Sequence, residues 1–139
     1  MPRPAYESSA CWREAVTLTV WVHRLTGRLP AEEKSGLAAA MRRSATAAAQ
    51  RLADADGRED DTDAGKQYEA ALAALRELGT AGVICRKLKY LGPGALRGLR
   101  MRIARVERRI DADLLIIADG HQAETPDAND GPGPTRIAA

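Results

Sequence analysis

Residues 95–118, ALRGLRMRIARVERRIDADLLIIA, decide the fold. Leu96, Leu99, Ile103, Val106, Ile110, Leu114 and Ile117 recur at steps of three and four, which gathers them on one side of a helix. Strand residues would share a face at every second position; this spacing belongs to a helix facing the seam of a bundle. The same winding places Arg97, Arg105, Arg108 and Arg109 on the far side, with Arg100 and Arg102 beside the apolar stripe.

Toward the N-terminus, Gly92-Pro93-Gly94 marks a turn, and a helix is predicted over 66–91. Tyr68, Leu72, Leu75, Leu78, Gly82, Cys85 and Leu88 follow one side of it. Gly79 and Gly82 each cost about 1 kcal/mol of helix propensity relative to Ala, a cost that a close helix crossing would offset. Residues 54–65, DADGREDDTDAG, form the clearest internal break. An earlier helix should start at Ala31, after Pro30, with Glu32 and Glu33 at the positive end of its dipole and Leu37, Met41, Ala45, Ala48 and Leu52 at helical spacing. The first helix runs from Ser8 or Ser9 to Thr26, closed by Gly27. Its apolar stripe is Trp12, Ala15, Val16, Thr19, Val22 and Leu25, widened by Leu18 and Trp21.

The chain has 139 residues, room for one domain with a core of its own. Phe is absent and aromatic residues make up 4%, so apolar volume comes from Ala, Leu, Ile and Val, a mixture that favours closely packed helices. The expected fold is all-α: an antiparallel up-down-up-down four-helix bundle over residues 8–118, with a loose N-terminal arm at 1–7 and a disordered tail at 119–139. Cys11 and Cys85, far apart and inside helical patterns, read as buried thiols in a reducing compartment. No signal-peptide core and no run of about 20 apolar residues is present, so the cytoplasm is expected and a membrane is not.

Taken in order, these segments resemble the four-helix bundle protein family whose named member is the 23S rRNA intervening-sequence protein. The similar elements are Trp12-x-x-Ala15-x-x-Leu18, Val22-His23-Arg24-Leu25-Thr26, Pro30-x-Glu32-Glu33 with Leu37, and the pair Arg42-Arg43. Leu52-Ala53-Asp54-Ala55-Asp56-Gly57-Arg58 resembles the family's Ile-Ala-Glu-Gly-x-Gly-Arg. Leu75-Arg76-Glu77-Leu78 resembles its Leu-x-Glu-Leu, and Leu88-Lys89-Tyr90-Leu91 its closing Leu-Gly-Tyr-Leu. The chain departs from the family at 47–51, where Ala-Ala-Ala-Gln-Arg stands in place of Ser-Ile-Pro-Ala-Asn. The resemblance implies a ring-like homopentamer without enzymatic activity. A related branch, the accessory variability determinant of diversity-generating retroelements, is a basic pentamer that partners a reverse transcriptase and nucleic acid; the motifs here look closer to the intervening-sequence branch.

The net charge of +2 hides an uneven distribution: residues 76–109 carry a balance of +8 and residues 54–63 one of −5. Arg97, Arg100, Arg102, Arg105, Arg108 and Arg109 are candidate phosphate contacts, which Arg86, Lys87 and Lys89 could extend. Alternatively they form a solvated face, and the last three complement a helix C-terminus. Sequence-specific reading of bases is not expected, since no aromatic ladder interleaves the cations. Arg42, Arg43 and Glu77 are candidates for a structural ion pair or a subunit contact. No cofactor or metal is expected. The two histidines lack the Glu-x-x-His pattern of a di-iron bundle, and the acidic run read from Asp54 puts Glu59 and Gly65 where a calcium loop needs Gly and Glu. No catalytic constellation has workable spacing. The expected function is therefore an oligomeric accessory factor for nucleic acid or protein, or else a purely structural oligomer.

Overall fold

Four helices dominate a computed structural model that describes residues 2–124, with side chains as far as Gly120: α1 (Ala10–Thr26), α2 (Leu37–Asp56), α3 (Asp61–Lys87) and α4 (Pro93–Glu124). Short 3₁₀ turns cover Ala5–Ser8 and Ala31–Glu33, and no strand occurs among the described residues. Each helix packs on the next, and α4 closes the bundle against α1. Pairings at the seams fix their direction. Thr19 meets Ala45 while Thr26 meets Arg42; Ser44 meets Glu77 while Arg51 meets Gln67; Gly82 meets Leu99 while Tyr68 meets Asp113. Numbers rise on one helix as they fall on its neighbour, so adjacent helices run in opposite directions.

The core follows the sequence stripe closely in α2, where Met41, Ala45, Ala48 and Leu52 are buried, and along the middle of α4, where Leu99, Ile103, Val106 and Ile110 are buried while Leu96, Leu114 and Ile117 are half-buried. In α1 the inward row is Cys11, Ala15, Leu18, Val22 and Leu25. Trp12, Val16 and Thr19, expected in that row, are instead half-buried toward α2. Leu88, expected along the α3 stripe, is 50% exposed because the helix has already ended at Lys87. Small residues dominate between α2 and α3, with Ala45, Ala48, Ala71, Ala74 and Ala81 buried. The close crossing expected at the glycines occurs at α3 and α4: an added Cβ on Gly82 would run into the Leu99 side chain, and one on Gly79 would lie 3.8 Å from Ile103.

Several boundaries differ from the sequence expectation, each for a local reason. Within the arm, a 3₁₀ turn begins at Ala5 and Tyr6 stacks edge-on against Trp12 at 5.2 Å. The second helix starts at Leu37, six residues later than expected. Gly36, with ψ at −109°, interrupts the turn, and the Glu33 carboxylate accepts from the Leu37 amide at 3.1 Å. The break at 54–65 shrinks to four residues. Its first acids finish α2, and Asp60 caps α3 by accepting from Thr62 N at 2.8 Å, which draws Asp61 and Asp63 into the first turn. Pro93 opens α4, as its fixed φ and missing N–H allow, and the helix continues through 119–124, expected to be tail. The rest of that tail, 125–139, lies outside the described residues.

The end of α3 explains a family motif. Tyr90 N–H donates to Cys85 O at 2.9 Å and Lys89 N–H to Arg86 O at 3.0 Å, a Schellman closure with Lys89 at φ +66°. This is the position where the resembling motif has Gly, which adopts that conformation freely. Lys89→Gly should therefore raise stability by about 0.5–1 kcal/mol, left-handed strain relieved minus added freedom of the unfolded chain. A thermal melt measures it, and a lower melting temperature would contradict the assignment.

Candidate nucleic-acid interface

The side of the bundle where α1 meets α4 collects the charged residues of interest. Its geometry starts from Gly98, which has no Cβ to hold the Trp21 ring away from the α4 backbone; an added Cβ would lie 3.3 Å from that ring. Arg102 then lies over Trp21, 4.3 Å from the ring centroid, and donates to Gly98 O at 3.3 Å. Cation–π attraction and the carbonyl bond hold this guanidinium, so among the sequence candidates Arg102 is a packing residue first.

Arg97, Arg100, Arg105, Arg108 and Arg109 are exposed along the outer face of α4. Two of them are joined by residues the helix-four pattern could not supply. Arg13, Glu14 and Thr17 of α1 line an open depression of about 440 Å³ with Arg105 and Arg109. A second hollow, lined by Glu14, Arg105, Arg108, Arg109 and Ala112, adjoins it through shared residues. Arg86, Lys87 and Lys89 are not part of this cluster. They lie at the far end of the bundle, near the start of α4, ten or more residues from Arg105, about 15–20 Å along the axis. That exceeds the ~8 Å Debye length, so the two groups act as separate fields. Arg86 and Lys87 occupy the last turn of α3, where cations offset the helix dipole.

The arginine pair on α2 divides. Arg42 donates to Thr26 Oγ1 at 2.8 Å and to His23 O at 3.2 Å, tying α2 to the end of α1 rather than reaching Glu77. Thr26, the one buried polar residue among those described, donates its own hydroxyl to Val22 O at 2.8 Å. Arg43 is exposed and shares a hollow with Ser44 and Glu77, whose carboxylate accepts from Ser44 at 3.5 Å.

Two carboxylates organise the ends of the bundle: Asp113, which no sequence pattern singled out, and Glu33. Asp113 accepts from the Tyr68 hydroxyl at 3.3 Å and lies beside Cys11. Burial first, then the Asp113 charge, pushes the Cys11 thiol up to about 12, so it stays protonated and weakly nucleophilic at neutral pH. Burial and Asp113 likewise raise Tyr68 well above the usual phenol range. At the other end Glu33 caps α2 and accepts from the Tyr90 hydroxyl at 3.2 Å, clamping the α3–α4 turn. Asp113 did not stand out, because its partners lie on other helices, where no local pattern reaches; the helix-start role of Glu33 was legible, its bond to Tyr90 was not. Among the described residues no group of three or more His, Cys, Asp or Glu could hold a metal ion, and no helix is long and apolar enough to cross a membrane. Both thiols are free and buried.

The fold and this face define a small helical bundle protein that carries arginines on the outside of its last helix. Its chain belongs to the 23S rRNA-intervening sequence protein family, whose model matches residues 7–112. No curated protein matches it. The matched range covers α1 to α3 and the arginine-bearing part of α4, and stops just before Asp113.

Proposed function

We propose that this protein is a non-enzymatic, cytoplasmic, homo-oligomeric accessory factor that holds nucleic acid through the basic face of α4. One observation carries the reading: five α4 arginines stay exposed, and Arg105 and Arg109 line two adjoining hollows, the first with Arg13 and the second with Arg108. Guanidinium groups fork onto phosphate oxygens, and a ring of subunits would repeat the surface several-fold. The family description names 23S rRNA, which agrees with an RNA-related role. Self-association draws support from Leu115 and Ile116, 66% and 67% exposed on α4, and from an apolar groove between α1 and α2 lined by Tyr6, Trp12, Val16 and Val20; the homopentamer is the number that the family resemblance implies. A reverse transcriptase is the alternative partner that the related retroelement branch suggests.

Filter binding of generic RNA and DNA over a salt series tests this. Log affinity should fall linearly with log salt, and a flat response or no binding at low salt would leave a purely structural oligomer whose arginines serve solubility. Mass in solution should be five times the 14.9 kDa of the chain.

A further inference from the structure

Within the α1–α4 groove the feature that simple attraction to phosphate does not explain is Glu14. It is half-buried and lines both hollows, among Arg13, Arg105, Arg108 and Arg109. A carboxylate at that place repels a polyanion over the same few ångströms in which the arginines attract it. The repulsion is offset when the ligand brings its own hydrogen-bond donor beside the phosphate. A DNA backbone and an ionised acidic peptide side chain bring none there. Each ribose of an RNA strand does, since its 2′-hydroxyl neighbours the 3′-phosphate and can donate. Thr17, whose hydroxyl already donates to Arg13 O at 3.0 Å, offers the groove only its acceptor side.

We infer that the α1–α4 groove is a ribose-phosphate site: Arg13, Arg105 and Arg109 hold phosphate oxygens while Glu14 accepts the 2′-hydroxyl proton in a hydrogen bond, so the protein prefers RNA to DNA. The inference rests on the nucleic-acid reading above and adds to it a second helix, a residue of opposite charge and a choice of sugar.

Single-stranded RNA and DNA of one length and sequence, titrated against the full chain at fixed salt, provide the test. The wild type should bind RNA about tenfold to a hundredfold more tightly, the range of one hydrogen bond to a charged acceptor. Glu14→Ala should bring the ratio close to one while DNA binding strengthens. Glu14→Gln, which keeps an acceptor without the charge, should tighten both ligands and retain part of the preference. Arg13→Ala should weaken both. Equal affinities for RNA and DNA in the wild type, or an unchanged ratio in Glu14→Ala, would overturn the inference and reduce Glu14 to a counter-charge. If Arg13→Ala binds as the wild type does, the groove is not the site, although α4 could still hold nucleic acid elsewhere. Competition by polyglutamate as effective as by RNA would point to an acidic protein partner instead. Failure of every nucleic acid to bind at low salt would remove the nucleic-acid reading itself.

Discussion

Gly82→Val is expected to destabilise the protein by about 3 kcal/mol, near the upper end of what overpacking a core costs. Gly82 is buried where α3 crosses α4, and Leu99 opposite it is 0% exposed, so the leucine has no open side to move into. Valine adds two methyls beyond the Cβ that already collides, and its branched carbon leaves few rotamers in which to avoid the clash. Helix propensity acts the other way, but its gain of well under 1 kcal/mol is too small to compensate. For a bundle of this size the melting temperature should fall by roughly 10 °C. Gly79→Ala, three residues earlier, should do the opposite. Its Cβ would meet Ile103 at 3.8 Å, ordinary van der Waals distance, so the propensity gain of up to about 1 kcal/mol is kept. Opposite signs at two glycines one turn apart identify the crossing point. Equal behaviour in thermal melts would mean that the α3–α4 crossing lies elsewhere.

The bundle was legible because its seam is written locally. In α4 the period of three and four is carried by large aliphatic residues alone, and Leu99, Ile103, Val106 and Ile110 are all buried. Boundaries were less legible, because short-range signals compete there. Pro30 with Glu32-Glu33 has the chemistry of a helix start, yet the Glu33 side chain caps a helix that begins only at Leu37. The acidic run looked like a linker and serves mostly as the end of one helix and the cap of the next. The groove could not be read at all. Arg13 and Arg105 are separated by most of the chain, and neither pattern on its own helix points to the other. For the same reason helix periodicity puts Arg102 beside the apolar stripe, but not against Trp21 on α1, which holds it. What helix periodicity reports is which residues share a face; which faces meet is decided by packing.

The largest effect on binding is expected from Arg105→Glu with Arg108→Glu. Arg105 lines both hollows of the groove and Arg108 the second, so the double variant replaces attraction by repulsion at two points in the centre of the surface. Nucleic-acid affinity at low salt should drop by more than about a hundredfold. Whatever binding persists should show a log–log salt slope shallower by at least ~1.4, the value for two single-strand phosphates that the protein no longer neutralises. Both side chains are exposed, so stability should change by no more than about 0.5 kcal/mol and the weaker binding cannot be laid to unfolding. Arg86→Glu with Lys87→Glu changes the net charge by the same amount at the far end of α3, and the two pairs are compared at physiological salt, where the Debye length of about 8 Å keeps their fields separate. If the double variant at the groove and the one at the α3 terminus weaken binding equally, net charge rather than placement governs association, and α4 has no privileged face. A drop confined to the first pair would locate the phosphate-binding side chains on the helix whose apolar stripe builds the core, which makes the packing of Leu99 and Ile103 and the presentation of Arg105 two sides of one element.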